Sequence, residues 1–597
     1  MAQQPKNFEA QIHNYTPFAE YQEKKLDAKT LIQTTGRVTE SLNGRWNFVV
    51  DQYATSLRSK WFKETYERNG FPVPPDFDFE AWDPVTVPSC WNTQKPEQYL
   101  YEGFGVYTRT FRVQTKDQER LFLHFDGAQY KAYVFLNKEY LGFHEGGSTP
   151  FSVEITKLVQ TTNRIMVVVD NTRADDQVPM SNTDWFNYGG LYRDIQLVRL
   201  PETFIRSTFA YLVPDGTYSN IMVSAELQGT QVTQPVTVEI PELGISQQLE
   251  TKHPKSGSVS TMIQAKPELW SPEHPKLYRV IVTSGTDRVE DSIGFRQIEV
   301  RGTDLLLNGK KVFFRGISCH EDSVKGGKHL KPDEILHDMT TAKELGCNYI
   351  RLAHYPHSQR AAQIADRLGI MLWAEIPVYW AIDFANPKTK ENASNQLVEM
   401  IRRDRNRASV VIWSVGNENP DTDDRLSFMK HLTEVARQED PTRLISAACL
   451  VNHVENKIED RLSEHLDIIG INEYYGWYNP DYRKLPELFD NSNPDKPVFI
   501  CEFGGGALAG HRGSKDEFFT EDCQLQIYKE QLAILGATPY VKGISPWILF
   551  DFRAPRRNNR YQRGYNRKGL LAEDKTTKKL AYYLVQEFYA KKAREQG

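Results

Sequence analysis

The sequence predicts a multidomain fold in which an N-terminal β-sandwich and an immunoglobulin-like β-sandwich precede a C-terminal (β/α)8 TIM barrel. The first supporting observation is length, because 597 residues exceed one hydrophobic core, which stops growing near about 250–300 residues. The second is that short alternating apolar runs fill the first half of the chain. The third is that β-rich runs alternate with helical stretches in the second half. The predicted domains are 1–200, 201–300 and 301–597.

Two successive stretches of the chain predict the β-sandwiches, because alternating runs are separated by turn residues in both. From about Leu42 to Leu200 the clearest runs are Leu121 to Asp126, Ala132 to Leu136 and Ile165 to Asp170. In the segment from Pro201 to about Val300 the clearest runs are Ile221 to Leu227, Val236 to Ile240 and Tyr278 to Thr283. The length of this segment suits an immunoglobulin-like sandwich.

The pattern changes after the hairpin signal Leu307-Asn308-Gly309-Lys310. Helical periodicity in segments such as Glu334 to Leu345 and Ala361 to Leu368 then separates β-rich runs, which is typical of parallel β/α units. Eight such units predict a closed barrel. The strand candidates are Val312 to Ile317, Asn348 to Ala353, Ile370 to Glu375, Val410 to Val415, Leu444 to Ala448, Leu466 to Ile471, Pro497 to Cys501 and Gly543 to Leu549.

Composition argues against several classes of function. A formal net charge of -5 provides no long-range field for a polyanion, so no nucleic-acid partner is predicted. No stretch approaches the about 20 apolar residues of a membrane span, so no membrane partner is predicted. The six cysteines are scattered without CxxC spacing and are predicted to be buried free thiols.

The N-terminal segment Met1 to Ile12 lacks the apolar core of a secretion signal. As given, the chain is therefore predicted to be cytoplasmic. A periplasmic or secreted location stays open, because a chain from which a signal peptide has been removed would begin in the same way.

Two carboxylates follow strand candidates, at the edge of a barrel where catalytic groups lie. Strand four ends in Gly416-Asn417-Glu418-Asn419-Pro420 and strand seven in Cys501-Glu502-Phe503-Gly504. Because these strands face each other across the barrel mouth, Glu418 and Glu502 could flank one bond. The alternative for either residue alone is a carboxylate that caps a helix or pairs with a buried arginine, a role that suits Glu375 at the end of strand three.

The motif Gly416-Asn417-Glu418-Asn419-Pro420, together with Glu502, makes the chain resemble glycoside hydrolase family 2. The resemblance covers nearly the whole chain, including the two sandwiches and the barrel. Further matches are Arg351-Leu352-Ala353-His354-Tyr355-Pro356, Cys319-His320-Glu321-Asp322 and Trp185-Phe186-Asn187-Tyr188-Gly189-Gly190. The resemblance implies a jelly-roll N-terminal domain of the sugar-binding type. It also implies a retaining β-glycosidase in which Glu418 is the acid/base and Glu502 the nucleophile, with carboxyls about 5–5.5 Å apart.

Within the family, the chain resembles the bacterial β-glucuronidases. There an Asn and a Lys two residues apart hold the C6 carboxylate of the sugar, and Asn566 and Lys568 match this motif. The alternative is that Arg567-Lys568 belongs to a basic surface loop with Arg556, Arg557, Arg560 and Arg563.

Other matching positions are expected to contact the sugar. Asp184 would reach hydroxyls from the sandwich domain, although a lone Asp in a loop is more often a turn residue. His354 would contact the sugar rather than serve structure, and Asn417 would bond the 2-hydroxyl. Tyr474 and Tyr478 could bind the substrate or orient Glu502, whereas Tyr475 is expected in the core. Asn472 and Trp547 complete the expected site.

The predicted function is an exo-acting release of β-D-glucuronic acid from β-glucuronides by double displacement, with a β-glucuronide or related oligosaccharide as partner. A family 2 β-galactosidase or β-galacturonidase is the first alternative, and a non-catalytic carbohydrate-binding protein is the second. The chemistry requires no metal or organic cofactor, and none is predicted. Family members often form dimers or tetramers, so a homo-oligomer stays open.

Some bacterial β-glucuronidases carry a long insertion after strand three that covers the site. Here only Val378 to Ser394 precede a predicted helix at Asn395 to Arg402. The sequence therefore predicts a site that is open to larger saccharides.

Overall fold

The computed structural model describes residues 19–64, 78–253 and 257–596, so the segment Met1 to Ile12 lies outside the described residues. The predicted multidomain fold class is confirmed. Two β-sandwiches precede a closed eight-stranded parallel barrel. No helix in these described ranges is long and apolar enough to cross a membrane.

The N-terminal domain is a β-sandwich of two antiparallel sheets. Its six-stranded sheet has the order β3-β2-β4-β9-β6-β7 and its four-stranded sheet the order β1-β10-β5-β8. The side chains between the sheets are apolar, and they include Trp46, Leu123, Phe151 and Val167. The strands are β1 Thr39–Ser41, β2 Gly44–Asp51, β3 Asp83–Val87, β4 Phe104–Arg112, β5 Glu119–Phe125, β6 Lys131–Leu136, β7 Glu139–Glu145, β8 Phe151–Glu154, β9 Thr162–Asp170 and β10 Ile195–Pro201.

The central domain packs two four-stranded sheets, ordered β11-β12-β16-β15 and β14-β13-β17-β18. Burial alternates along Asn220–Gln228, as expected for a sheet with one face on a core and one on solvent. Its strands are β11 Phe204–Leu212, β12 Asn220–Gln228, β13 Val236–Ile240, β14 Ile245–Gln248, β15 Glu250–His253, β16 Ser258–Gln264, β17 Tyr278–Ser284 and β18 Asp287–Ile293.

A three-stranded sheet leads into the barrel. It consists of β19 Ile298–Arg301, β20 Asp304–Leu307 and β21 Lys310–Lys311. The predicted hairpin is confirmed, because Leu307 pairs with Lys310 across a turn in which Asn308 and Gly309 both have positive φ.

The barrel strands β22 to β29 close in sequence order. Every residue of Val410–Asn417 is buried, because helices cover the outside of a parallel sheet while side chains fill its inside. The strands are β22 Phe314–Cys319, β23 Tyr349–Leu352, β24 Met371–Glu375, β25 Val410–Asn417, β26 Leu444–Cys449, β27 Ile468–Asn472, β28 Val498–Glu502 and β29 Val541–Ile544. The hairpin β30 Phe552–Arg553 with β31 Tyr565–Asn566 lies beyond them. The helices are Thr55–Arg58 in the sandwich domain and, around the barrel, Pro332–Glu344, Gln359–Leu368, Pro387–Asp404, Asp423–Glu439, Lys484–Asn491, Glu521–Ala537 and Leu580–Gln596.

Most predicted boundaries lie within two residues of the observed ones, but two are wrong by several residues. The eighth strand ends at Ile544 instead of Leu549, because Pro546 has no N–H for a ladder hydrogen bond and Trp547 donates instead to the carbonyl of Phe503. The helix predicted from Asn395 begins at Pro387, where the Asn386 side chain accepts from the backbone N of Lys388 and the proline occupies the first turn. The connection after strand three is therefore shorter than predicted.

Charged side chains hold both sandwiches against the barrel. Arg193 of the N-terminal domain donates to Glu321 at 2.6 Å, just after the first barrel strand. Arg407 of the barrel pairs with Asp291 of the central domain and with Asp366. All six cysteines are buried free thiols, as predicted. The Arg193–Glu321 pair joins the N-terminal domain to the barrel at the carboxyl end of its first strand.

Candidate active site

Glu418 follows directly after β25, in a backbone conformation that residues other than glycine rarely adopt. Its φ is 52°, in the left-handed region, and its N–H donates to the carbonyl of Ala448 at 2.8 Å. Such conformations cost about 1–3 kcal/mol and concentrate at functional sites. In this conformation the carboxyl contacts Trp380, whose indole N–H donates to Glu418 Oε2 at 2.8 Å.

The surroundings of Glu418 favour its protonated form. Burial raises the pKa of the carboxyl above its usual range, and the negative charge of Glu502 raises it further. Hydrogen bonds from Trp380 and Asn472 oppose this shift without cancelling it. The group therefore keeps its proton to higher pH than an ordinary glutamate.

Glu502 ends β28 and lies among strong donors. Arg351 Nη1 donates to its Oε1 at 2.8 Å, and the Tyr474 hydroxyl donates to its Oε2 at 2.7 Å. His354 Nε2 lies 3.6 Å from Oε1. Charge-assisted hydrogen bonds of this kind stabilise the carboxylate and leave it little freedom to rotate.

Arg351 joins Glu502 to a second buried carboxylate, Glu375. The guanidinium contacts Glu375 through two nitrogens, at 3.1 and 3.2 Å, and His354 Nδ1 lies 2.8 Å from Glu375 Oε1. Burial alone would raise the pKa of Glu375, but the charge of Arg351 and the bond to His354 lower it to about 2. Pairing with a buried arginine is the role predicted for Glu375.

Two amides link the carboxyl ends of β25 and β27. Asn417 Oδ1 accepts from Arg351 Nη2 at 2.7 Å and from Asn472 Nδ2 at 3.2 Å. Asn472 Oδ1 is buried and has no hydrogen-bond partner among the described residues. A buried acceptor without a partner costs free energy, so a donor from a bound ligand would satisfy it.

Lys568 lies in a pocket walled by tyrosines rather than on a surface loop. It is only 4% exposed, and its ammonium donates to the Tyr478 hydroxyl at 2.8 Å. The ammonium lies 5.0 Å from the ring centre of Tyr474 and 4.7 Å from that of Tyr478. No carboxylate pairs with it in the part of the chain that the structure describes.

The neighbouring residues also argue against a basic surface loop at this position. Asn566 is 1% exposed, and its Oδ1 accepts from the backbone N of Lys568 at 3.2 Å. Arg567 points elsewhere and pairs with the buried Asp551 and with Glu573. Tyr475 packs in the barrel core, as predicted.

Asp184 reaches this pocket from the N-terminal sandwich. Its carboxylate accepts from Arg557 Nε at 2.9 Å and Nη2 at 2.7 Å, and from Asn566 Nδ2 at 3.1 Å. Arg557 Nη1 also donates to the Tyr478 hydroxyl at 3.3 Å. Asp184 is therefore part of an interdomain network and not simply a turn residue.

Aromatic rings form the wall around His354. The Trp547 indole stacks on the imidazole with ring centres 4.8 Å apart, and Tyr379 and Trp185 lie at 4.9 and 5.6 Å. Trp547 is 4% exposed and belongs to a buried cluster with Ala353. The structure thus brings all eleven predicted site residues to one end of the barrel.

Five residues of this site are absent from the set predicted from the sequence: Arg351, Tyr379, Trp380, Arg557 and Trp185. Arg351 and Trp185 lie inside recognised motifs, so their positions carried a signal. Trp380 follows strand three, where barrel sites are built, and could have been found in that way. Nothing in the basic run distinguishes Arg557 from its neighbours, since only folding places it beside Asp184.

The site is built from acid, amide and aromatic groups. Among residues 19–64, 78–253 and 257–596, no group of three or more His, Cys, Asp or Glu side chains could hold a metal ion. What the arrangement offers chemically is one carboxyl favoured as an acid, one carboxylate held by cationic and phenolic donors, and a separate buried ammonium.

Comparison with known proteins agrees with this architecture. Residues 39–201 match the glycosyl hydrolases family 2 sugar binding domain, 203–296 match glycosyl hydrolases family 2, and 298–592 match the glycosyl hydrolases family 2 TIM barrel domain. A curated β-glucuronidase of Bacteroides fragilis is 30% identical over 546 residues, which cover 84% of this chain and 77% of that protein.

Two solved structures resemble this chain over nearly its whole length. A family 2 β-galacturonidase from Eisenbergiella tayi bound to galacturonate superposes with a TM-score of 0.80 at 26% identity, covering 94% of this chain and 99% of that one. A Bifidobacterium dentium β-glucuronidase complexed with coumarin-3-O-glucuronide gives 0.82 at 25% identity, with coverage of 94% and 98%. The three matched domains, together with these relatives, establish that the chain is a member of glycoside hydrolase family 2.

Proposed function

We propose that this protein is a retaining, exo-acting β-glucuronidase in which Glu418 is the acid/base and Glu502 the nucleophile. Lys568 carries the proposal of the sugar. A buried ammonium without a carboxylate partner is costly, and a bound uronic acid would supply the missing anion. The named relatives act on uronides or bind them, which supports the same substrate class.

The chemistry follows from the unequal carboxyls. In the first step Glu418 donates its proton to the glycosidic oxygen, while a Glu502 oxygen attacks the anomeric carbon and the bond to the leaving group breaks. In the second step Glu418 takes a proton from water, the oxygen of that water attacks the same carbon, and the bond to Glu502 breaks. Two inversions at one carbon give net retention.

The positions of the donors agree with these roles. Arg351 and Tyr474 stabilise Glu502 as a carboxylate before attack, and the same donors help it to leave in the second step. Asn417 lies beside Glu418 and is oriented by Arg351, which suits a donor to the 2-hydroxyl.

The sugar pocket would lie between Glu502 and Lys568, with Tyr474 spanning the two. Tyr474 hydrogen-bonds Glu502 through its hydroxyl, while its ring faces the ammonium of Lys568. Behind Lys568, Asp184, Arg557 and Asn566 close the space with an interdomain network. Because the pocket is closed on this side, a chain could not continue beyond the bound sugar. A terminal sugar would fit, which supports exo action.

A β-galacturonidase is the second candidate, because galacturonate offers the same carboxylate to Lys568 and one similar structure binds it. A β-galactosidase is less well supported, because a neutral sugar would leave the ammonium unpaired. A non-catalytic carbohydrate-binding role is not supported, since two carboxyls in opposed environments serve catalysis rather than adhesion.

The test compares Lys568→Ala with wild type on 4-nitrophenyl β-glucuronide, β-galacturonide and β-galactoside. Loss of a charge-assisted bond worth about 1.5–3 kcal/mol lowers kcat/KM for the uronides by about 10- to 100-fold. The galactoside has no carboxylate and should respond little or improve. Arg563→Gln, an exposed change in the same loop, is the matched control and should leave all three rates alone.

The ratio of rates decides the outcome. An unchanged preference between uronide and galactoside in Lys568→Ala would refute the sugar assignment while leaving the two glutamates in place. A wild-type preference for galacturonide over glucuronide would replace the proposed sugar with the second candidate.

A further inference from the structure

The side of the site that faces the leaving group carries an exposed cation on an aromatic platform. Trp380 donates to Glu418, the proposed acid, so its ring lies where the leaving group must be. The backbone of Trp380 is held at both of its polar groups. Its backbone N–H donates to the carbonyl of Asn417, and its carbonyl accepts from the side-chain amide of Asn419. The indole remains only half-buried.

Arg556 lies over this platform. Its guanidinium carbon is 5.1 Å from the ring centre of Trp380, and its Nη1 donates to Asn182 Oδ1 at 3.0 Å. No carboxylate pairs with Arg556 in the described ranges, whereas the adjacent Arg557 is paired with Asp184 at 2.7 Å. Two neutral contacts thus orient an exposed positive charge, and no carboxylate of the described residues neutralises it.

A cleft of about 190 Å³ continues from Arg556 across the N-terminal sandwich. Asn182, Trp185 and Phe186 contribute to its walls. The cleft also contains Glu102 and Arg173, which form a bidentate pair with each other. Because that pair is internally neutral, Arg556 supplies the unbalanced charge of the cleft.

The chain leaves this region accessible after strand three. The connection from Ile376 to Asn386 is short, because the next helix already begins at Pro387. A leaving group larger than a simple aryl ring could therefore extend over Trp380 and into the cleft. Aromatic faces stack on sugar rings, and arginine binds carboxylate and sulfate groups through parallel N–H donors.

We propose that Trp380 and Arg556 form a leaving-group subsite that selects an anionic sugar. The natural substrate would be an acidic oligosaccharide in which the terminal uronic acid is linked to a residue bearing a sulfate or a carboxylate. This inference rests on the proposed function and specifies the substrate class of the same site. Trp380 stacks on the second sugar ring, and Arg556 contacts its anionic group.

The experiment uses disaccharides in which a β-linked glucuronic acid precedes a hexose that is neutral, carries a 6-sulfate or is oxidised to a 6-carboxylate. Wild type should cleave the anionic disaccharides with higher kcat/KM than the neutral one. In Arg556→Gln, kcat/KM for the preferred anionic disaccharide should fall by about 10-fold or more, and that for the neutral one by less than about 2-fold.

Arg563→Gln is the matched control, because it removes another exposed arginine of the same loop that lacks a carboxylate partner among the described residues. It should leave the preference for anionic disaccharides intact. An equal loss in Arg563→Gln would assign the preference to general attraction by the basic loop and overturn the subsite. Equal losses on all disaccharides in Arg556→Gln, or no preference in wild type, would overturn it as well.

The rate on 4-nitrophenyl β-glucuronide separates the two levels of the argument. If wild type and Arg556→Gln cleave this substrate equally while the disaccharide preference is absent, the subsite fails and the proposed function stands. If neither protein cleaves any glucuronide, the proposed function fails and the subsite fails with it.

Discussion

The carboxyl ends of barrel strands four and seven carry the same residue type in opposite surroundings. Glu418 receives hydrogen bonds from an indole and from amides, and its burial favours the protonated form. Glu502 is held by the guanidinium of Arg351 and the hydroxyl of Tyr474. The comparison shows that burial favours the protonated form of one glutamate, whereas a cation and a phenol hold the other in place, which suits the proposed acid and the proposed nucleophile.

A third glutamate sharpens this contrast. Glu375 binds the same Arg351 more completely than Glu502 does, and its pKa falls to about 2. Being 1% exposed and surrounded by Arg351, His354 and Trp373, it has no open side for a substrate. Charge alone therefore does not make a nucleophile, which also needs access.

The largest expected effect comes from removing the proposed nucleophile. Glu502→Ala should lower kcat by about 10⁶-fold, the scale seen when a catalytic unit loses its nucleophile. Added azide should restore turnover and give a glycosyl azide of inverted configuration, since the small anion occupies the space of the missing carboxylate. Steady-state rates and NMR of the product measure both.

The matched variant is Glu418→Ala, for which azide should intercept the glycosyl-enzyme and give a product of retained configuration. The same configuration from both variants would contradict the assignment of opposite roles. Full activity in Glu502→Ala would remove the mechanism.

A smaller effect is expected from removing the proposed acid. Glu418→Ala should slow cleavage of glycosides with poor leaving groups by about 10²–10⁴-fold, because general acid catalysis contributes on this scale. Substrates with very good leaving groups need little protonation and should keep a fast first step, which a burst of released phenol would report. Equal losses on both kinds of substrate would count against the acid role.

The smallest expected effect is a change in pH dependence. The first step needs Glu418 protonated, so kcat/KM should fall as the pH rises through its pKa. The indole N–H of Trp380 stabilises the ionised form of Glu418. Its loss in Trp380→Phe should therefore raise the pKa of Glu418 and move the alkaline limb to higher pH. The pH profile of kcat/KM with a neutral aryl leaving group measures the shift.

Trp373→Phe is the matched control, because it removes another indole hydrogen bond of 2.8 Å, in this case to Glu375. Its alkaline limb should stay where it is in wild type, since Glu375 does not transfer the proton. An unchanged limb in Trp380→Phe, or an equal move in Trp373→Phe, would break the proposed link between Trp380 and the acid.

Local sequence determined much of this protein. Alternating runs such as Ile221 to Leu227 predict sheets with one buried face, and largely apolar runs such as Val410 to Val415 predict strands covered on both faces. The motifs around Glu418 and Glu502 follow such strands, so their meeting at the barrel mouth could be predicted from topology. The end of the eighth strand before Pro546 was also predictable from the sequence, because a proline cannot donate to the ladder.

Only the tertiary structure decided which side chains surround each glutamate. Trp380 follows the third barrel strand and contacts Glu418, whereas Arg351 belongs to the second strand and contacts Glu502. These contacts form because closure of the barrel brings the ends of its eight strands together. Asp184 meets Arg557 across 373 positions of sequence, at a junction between two domains. Hydrogen bonding and desolvation act over a few ångströms in space, whatever the separation along the chain, and for that reason the proposed roles of the two glutamates depend on the fold.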